Sequence, residues 1–471
     1  MREKVFSYTG RDMAVRGAVL VAGTILAASA AHLAGFDKPQ ILSVGTFLAV
    51  ILATLLFWPF RLAIAFLGIA ALLGAGVLTL QSFVESSELP IILFLVGMMV
   101  TVGALKDLGF FSWIIQSVIG MKSMTGPLFI SIVVFLSALM ACLVDEVTSI
   151  VFVSAMIFQV CDTLKVRPVP FIIVAVLATN IGSAGTMLGN PVGILIGHKA
   201  GLTFEDFMVW AFPAMLVSLC AALAILLAFY RREIAQLTER LRGRREMGLG
   251  LGPLVRVPYR RGLALLAALV VLVASHHRVE RLLGVETNTM LIAAPLIIAG
   301  IVMILRRDRA RHYIEAEVEW WTLLFFMLLF AVAGTLEHTE VTNRIAKDMS
   351  GAFSGNRGLM LPMVMFAAAL GSALVDNVVF VAAFVPVVKD LQWTPLWWAL
   401  LFGACFGGNA TMIGSTANIV ALGMLEKRYR AHFRFVEWLK VGALVSLVTC
   451  LVAWAALALM VWLMPSPSLH P

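Results

Sequence analysis

Apolar residues fall in long runs along most of the chain, at about 15–34, 40–59, 62–83, 89–105, 126–143, 147–161, 170–198, 207–230, 261–276, 289–305, 319–336, 358–375, 377–389, 396–425 and 435–464. Many approach the roughly 17–25 residues that carry a helix across a bilayer. Two runs, 170–198 and 396–425, are longer and are cut near the middle by glycine and polar residues. Two pairs, 126–161 and 358–389, are instead interrupted by a carboxylate after one membrane thickness or less. The pattern predicts an all-α polytopic membrane protein with two helical hairpins and two broken helices.

Composition narrows the class. Hydrophobic residues make up 61% of the chain and charged residues 13%, against about half and a quarter in soluble domains. A soluble fold would need a core larger than single domains sustain. A soluble enzyme, a nucleic-acid binder and a secreted disulfide scaffold are therefore excluded. The net charge of +8 does not mark a nucleic-acid surface, because the basic residues sit between apolar runs. Five cysteines (Cys142, Cys161, Cys220, Cys405 and Cys450) lie in or beside apolar runs without a CxxC pair, so they read as inert and buried. The N-terminal MREKVFSYTGRDMAVRG has no small-residue cleavage pattern and leads into an expected uncleaved first span.

Charge also orients the chain. Arg231, Arg232, Arg240, Arg242, Arg244, Arg245, Arg256, Arg260 and Arg261 mark 231–261 as cytoplasmic by the positive-inside rule. By parity Arg306–Arg311, Lys427–Arg434, Lys165, Arg167, Lys106, Arg61 and the N-terminal Arg2, Lys4 and Arg11 share that side. This places the N-terminus in and the C-terminus out, in a cytoplasmic membrane. Trp320, Trp321, Trp393, Trp397 and Trp398 are expected at the interfaces.

An internal repeat organises the chain. FLVGMMVTVGAL (94–105) aligns with FFMLLFAVAGTL (325–336), and LVDEV (143–147) with LVDNV (374–378), both at an offset of 231. SAGTMLGNPVGI (183–194) then aligns with GNATMIGSTANI (408–419), six residues tighter. The charge pattern makes the two halves run in opposite senses, as in transporters built from inverted repeats. The expected organisation is an N-terminal segment and first span (1–39), a first repeat (40–230), a basic linker (231–260), a second repeat (261–464) and a tail (465–471).

The candidate chemistry sits where the runs break. Asp145, Glu146 and Asp376 are the acids well inside apolar segments, where a charge costs about 2.5–3.5 kcal/mol on insertion scales unless it meets water or a partner. Each lies between two short arms, as at the tip of a hairpin that enters and leaves the membrane on one side; two full spans would return the chain equally well. The plainer alternative is a salt bridge or a capped helix end. In the broken helices, Gly182, Gly185, Gly189 and Pro191, and in the second half Gly407, Gly408 and Gly414, would let the backbone leave the helix. Unwinding frees carbonyls for a cation and amides for an anion; small residues could instead serve close helix packing. Asn180, Ser183, Thr186 and Asn190, with Asn409, Thr411, Ser415 and Asn418, add neutral donors and acceptors in matching register, and Thr148 and Asn377 stand beside the tips.

LVDEVTSIVFVSAMIF followed by NIGSAGTMLGNPVGILIG, and LVDNVVFVAAFVPVV followed by GGNATMIGSTANIVALG, resemble the ion transporter superfamily, in particular its ArsB/NhaD permeases and citrate transporter-like (CitMHS) members, with sodium–dicarboxylate carriers as distant relatives. The resemblance covers roughly 40–464. It implies about eleven transmembrane helices plus two re-entrant hairpins, a homodimer, and a transport domain moving against a scaffold as an elevator. It also implies that Asp145-Glu146-Val147 and Asp376-Asn377-Val378 form the hairpin tips of two ion sites around one substrate site. Glu146 stands where the family commonly has Asn, and Asn190-Pro191-Val192-Gly193 where it has Asp-Pro-Pro-Asn. Neither tip carries the Ser-Asn-Thr of the sodium–dicarboxylate carriers.

These observations point to a secondary active transporter of a small ion or small molecule coupled to H+ or Na+, with no other cofactor, no nucleic-acid partner and membrane lipid around it. Acidic tips without a lysine or arginine at similar depth favour a cation or a neutral solute, so arsenite efflux or Na+/H+ antiport lead, with citrate or dicarboxylate symport as the alternative. An ion channel would use the same breaks as a filter. His276-His277 and Glu337-His338 lack an HExxH or GxSxG setting, so no enzyme is expected.

Overall fold

The computed structural model describes residues 10–57, 60–251, 257–352, 357–429 and 435–463. Arg2, Lys4, Arg256, Arg430, Arg434 and the tail 465–471 lie outside the described residues. All regular elements described are helical. In chain order they are α1 (Gly10–Leu33), α2 (Lys38–Leu56), α3 (Arg61–Gly74), α4 (Leu80–Ser86), α5 (Leu89–Asp107), α6 (Phe110–Ile119), α7 (Gly126–Leu143) and α8 (Glu146–Leu164). Then come α9 (Val169–Gly182), α10 (Pro191–Ala200), α11 (Phe204–Asp206), α12 (Phe212–Phe229), α13 (Arg231–Glu246), α14 (Arg260–Ala274), α15 (His276–Leu283) and α16 (Thr289–Leu305). The chain continues through α17 (Ala310–His312), α18 (Trp320–His338), α19 (Val341–Ala352), α20 (Arg357–Leu374), α21 (Asn377–Asp390), α22 (Pro395–Gly407), α23 (Thr416–Tyr429) and α24 (Phe435–Leu463). Among the described residues eight helices are long and apolar enough to cross a membrane, or nine if the bent pair α14–α15 is one span.

The chain divides into two compact units that do not follow the two sequence halves. One comprises 1–93, 319–359 and 378–393; the other comprises 94–318, 360–377 and 394–471. Both arms of the first interrupted pair, α7 and α8, belong to the second unit. The second pair is divided between units at 377/378.

Within the first unit, Asp37 caps α2 in a reciprocal box with Gln40, and Gln40 also reaches the Thr339 carbonyl at 3.0 Å. Arg61 at the start of α3 is buried and hydrogen-bonded to Thr322 at 3.1 Å, its guanidinium lying 5.2 Å from the Phe325 ring centre. Gly334 lets α18 approach Ser86, where a Cβ would stand 2.4 Å from the hydroxyl.

The second unit is built on two close helix crossings. A Cβ on Gly182 would fall 2.3 Å from Ala138 Cα, so α9 lies directly against the α7 backbone. A Cβ on Gly407 would fall 2.4 Å from Ala369 Cα, so α22 lies on α20 in the same way. Ala138 and Ala369 are related by the offset of 231, and Gly182 and Gly407 by the tighter offset of 225. The close-packing role weighed for these glycines is therefore the observed one at both positions. Trp397 and Trp398, expected at an interface, are only 3% and 0% exposed; they fill the interior of this unit, Trp398 meeting Phe207 edge-on. Trp320 and Trp321 are exposed, as an interfacial position requires.

The basic linker is helical over its first half. Ile234, Leu237 and Leu241 on α13 are buried, and the Thr238 hydroxyl accepts the Gly126 amide at 3.1 Å at the start of α7. The 3.6-residue spacing gives α13 one buried stripe within a strongly charged sequence. Apolar periodicity alone does not reveal it, because charged residues occupy most other positions.

Replacing Gly182 or Gly407 with leucine should lower the thermal unfolding midpoint sharply, since overpacking costs roughly 1–3 kcal/mol even where the neighbour can shift; here the neighbour is backbone. Gly423→Ala, with open space around it, should leave the midpoint unchanged or slightly raised. Leu237→Ala should cost about 2–5 kcal/mol and raise the exchange rate of α13 backbone amides in hydrogen exchange.

Candidate functional site

The first candidate tip begins where α7 ends. Val144 leaves the helical region and Asp145 becomes the N-cap of α8. Its Oδ1 accepts the Thr148 amide at 2.7 Å, and its Oδ2 accepts the Thr148 hydroxyl. The capped-end alternative is thus the observed arrangement for Asp145 and Thr148. Glu146, the first residue of α8, is different. It is 3% exposed, and its Oε2 has no hydrogen-bond partner among the described residues. The amides of Asn190 and Asn377 lie beside its carboxyl, and the charges acting on it come from the Asp376 and Asp145 carboxyls, both of its own sign. Asp376 is buried too, and its Oδ2 accepts the Thr416 hydroxyl at 2.8 Å.

The broken helices supply the rest. After Gly182 the chain turns through 183–190 and resumes as α10, which Asn190 caps by accepting the Gly193 amide at 2.8 Å. After Gly407 it turns through 408–415 and resumes as α23, where the Ser415 hydroxyl accepts the Ala417 amide at 3.2 Å. The threonines hold the two turns in the same way. Thr186 donates to the Cys142 carbonyl and accepts the Leu188 amide; Thr411 donates to the Ala373 carbonyl and accepts the Ile413 amide. Among the break glycines none has positive φ, so left-handed backbone is not what they provide. They provide space: a Cβ on Gly189 would stand 2.2 Å from the Ser183 carbonyl oxygen, and one on Gly414 2.7 Å from that of Gly408. Gly185 leaves room for Met215 and Cys142, and Gly408 for the Gly414 carbonyl. Pro191 occupies the first helical position of α10, where a missing amide costs nothing.

Side chains then join the two breaks across the centre of the unit. Asn180 donates to Asn409 Oδ1 and Asn418 Oδ1, each at 2.8 Å, and accepts the Ser415 hydroxyl at 3.0 Å. Asn409 donates to the Leu177 carbonyl, and Asn418 to the carbonyls of Gly408 and Thr411. Asn190 donates to Ser183 Oγ at 2.9 Å and to Cys405 Sγ at 3.1 Å, and the Ser183 hydroxyl donates to the Asn180 carbonyl. At the offset of 225, Asn190 corresponds to Ser415 and Asn180 to Cys405. The contacts Asn190–Cys405 and Ser415–Asn180 are therefore one contact made twice, with the halves exchanging roles.

The structure thus brings Glu146, Asn190, Asp376 and Asn377 around one carboxyl group and joins Asn180, Asn409, Ser415 and Asn418 in a closed amide network. Asp145 and Thr148 cap the start of α8, and Thr186 and Thr411 serve the backbone of the breaks. Cys405 and Thr416 also face site residues and were not among the expected ones. Cys405 was reachable by carrying the repeat alignment back to Asn180, whereas Thr416, opposite Pro191 in that alignment, offered no signal.

Chemically, a buried carboxyl beside a second carboxyl is a place for a proton or a monovalent cation, since two like charges in an apolar interior strongly disfavour joint ionisation. The helices α8, α10 and α23 all begin at this cluster, and their N-termini carry partial positive charge suited to an anion. No group of three His, Cys, Asp or Glu side chains among the described residues is arranged to hold a metal ion.

Comparison with known proteins agrees with this architecture. Residues 47–403 match the citrate transporter (CitMHS) family. An uncharacterized transporter of Mycobacterium tuberculosis is 33% identical over 423 residues, covering 86% of this chain and 94% of that protein. The human P protein is 26% identical over 508 residues, covering 89% of this chain but 60% of its own longer length. Among solved structures, the YdaH transporter of Alcanivorax borkumensis superposes with a TM-score of 0.56 at 15% identity, over 92% of this chain and 100% of that one, which is a likeness of fold. A multi-pass helical chain with paired helix breaks, matched over most of its length, belongs to the citrate transporter (CitMHS) family of membrane transporters.

Proposed function

We propose that this protein is a secondary active transporter that moves a small solute by alternating access, coupled to H+ or Na+. The observation that carries the reading is the Glu146 carboxyl, buried beside Asp376 with one oxygen unpartnered among the described residues. Such a pair is neutralised by a proton or by a small cation held between carboxyl and amide oxygens. Binding the coupling ion is then a condition for the site to remain dry, which ties ion movement to closure of the site. A channel has no such requirement.

The cargo that best suits an acid-rich site is a cation or a neutral solute, so arsenite efflux or Na+/H+ antiport leads. Citrate or dicarboxylate symport is the second reading, favoured by the family match and by the helix N-termini at the cluster. In that case proton or Na+ binding at Glu146 and Asp376 would precede the anion. Every candidate binding residue falls within the unit formed by 94–318, 360–377 and 394–471, which supports a body that carries its whole site as it moves, as an elevator requires. A homodimer in the cytoplasmic membrane, N-terminus in and C-terminus out, completes the reading.

In proteoliposomes, flux of arsenite, Na+ or citrate should saturate and should follow an imposed proton or sodium gradient; gradient-independent conductance would sink the carrier reading. Glu146→Gln and Asp376→Asn should each lower gradient-driven flux at least about tenfold, equivalent to about 1.4 kcal/mol, with the thermal midpoint retained. Asp145→Asn keeps a competent N-cap and should be the mildest of the three. Full gradient-driven transport in both Glu146→Gln and Asp376→Asn would remove the coupling site from this cluster.

A further inference from the structure

A large cavity of the second unit lies away from the acid cluster, at the ends of its membrane helices. It has a volume of ≈ 1620 Å³. The end of α8, the start of α9, the end of α12, the first turns of α24 and one side of α13 enclose it. On α13, Glu233, Gln236, Glu239, Arg240, Gly243 and Arg244 line it. Glu233, Gln236, Arg240 and Arg244 recur at helical spacing on the face that adjoins the buried Ile234, Leu237 and Leu241.

Its chemistry is two-sided. Lys165, Arg167, Arg240 and Lys440 line it and are exposed, and none makes an ion pair among the described residues. Arg244 also lines it, held in place by the carbonyls of Gly250 and Thr163. The acids on its wall are Glu233, Glu239 and Glu437, two of which, Glu233 and Glu437, sit by Tyr230. Phe229, Met247 and Leu249 give the same wall exposed apolar surface, Phe229 being 45% exposed, whereas Phe171 and Ile173 are buried. A soluble anion would use the cations and leave this apolar wall wet. A molecule with a phosphate at one end and hydrocarbon at the other uses both, and headgroup level is where spans end.

We propose that this cavity binds an anionic glycerophospholipid, its phosphate held by Lys165, Arg167, Arg240 and Lys440 and its acyl chains laid along the exposed Phe229. The site is separate from the coupling residues and does not depend on which solute is carried.

The test is native mass spectrometry of the full-length protein in neutral detergent, titrated with phosphatidylglycerol or phosphatidylcholine. Phosphatidylglycerol should be retained preferentially. Lys165→Gln and Arg240→Gln should each weaken its retention about fivefold, the effect of one basic residue near a charged membrane surface, while Arg240→Lys should restore most of it. Arg242→Gln, on an exposed pair with Glu246, should change nothing. Equal retention of the two lipids, or equal loss in Arg242→Gln, would overturn the proposal. Displacement of phosphatidylglycerol by millimolar inorganic phosphate would assign the cavity to a soluble anion instead. Thermal midpoints of the variants matching the parent keep a folding defect from imitating lost binding.

Discussion

Two carboxyl groups cannot stay ionised side by side in an apolar interior without a cation between them or a proton on one of them. Glu146 and Asp376 impose that constraint at the centre of the second unit. Apolar burial makes the like-charge repulsion severe, and amide side chains around the pair offer dipoles but no neutralising charge. The surrounding arrangement follows from this. Asn190 and Asn377 face the carboxyl, Thr416 satisfies one Asp376 oxygen, and α8, α10 and α23 begin here, the partial positive charge of their N-termini lowering the cost of an acid.

Holding such a cluster still requires broken helices whose backbone polar groups remain satisfied, because there is no water to receive them. Thr186 and Thr411 do this by donating to carbonyls at the ends of neighbouring helices, and the Asn180 network closes the centre. The glycines contribute by absence of a side chain. Gly182 and Gly407 bring α9 onto α7 and α22 onto α20, which puts each break at the depth of the neighbouring tip. A network in which Asn180 uses both its amide hydrogens and its carbonyl oxygen tolerates little displacement of any member. The two breaks are therefore mechanically one object.

The periphery of the same unit follows different physics. The α13 helix buries a narrow apolar stripe and turns arginines outward, so it can cover the ends of membrane helices while presenting charge where a headgroup lies. Its packing through Thr238 and Gly126 binds a strongly charged element to the start of α7, the helix that α9 crosses.

Hydropathy and charge determined that this chain spans a membrane, because a run of some twenty apolar residues is unstable in any other solvent. The repeat alignment determined where the breaks fall, because the pairs Gly182 and Gly407, Thr186 and Thr411, and Gly189 and Gly414 put helix-weakening residues at the same places in both halves. Membership of the citrate transporter family was legible in the same blocks. Tertiary structure decided the roles. Asp145 and Glu146 are adjacent acids in the sequence, and only the geometry of the α8 start makes one a cap and leaves the other facing Asp376. Only packing buries Trp397 and Trp398, since an aromatic beside a span end reads as interfacial until its neighbours are known. The partnership of Asn190 with Cys405 and of Asn180 with Ser415 joins residues more than two hundred positions apart. Local pattern records what each segment prefers, but a shared site depends on which segments the fold brings within hydrogen-bond distance.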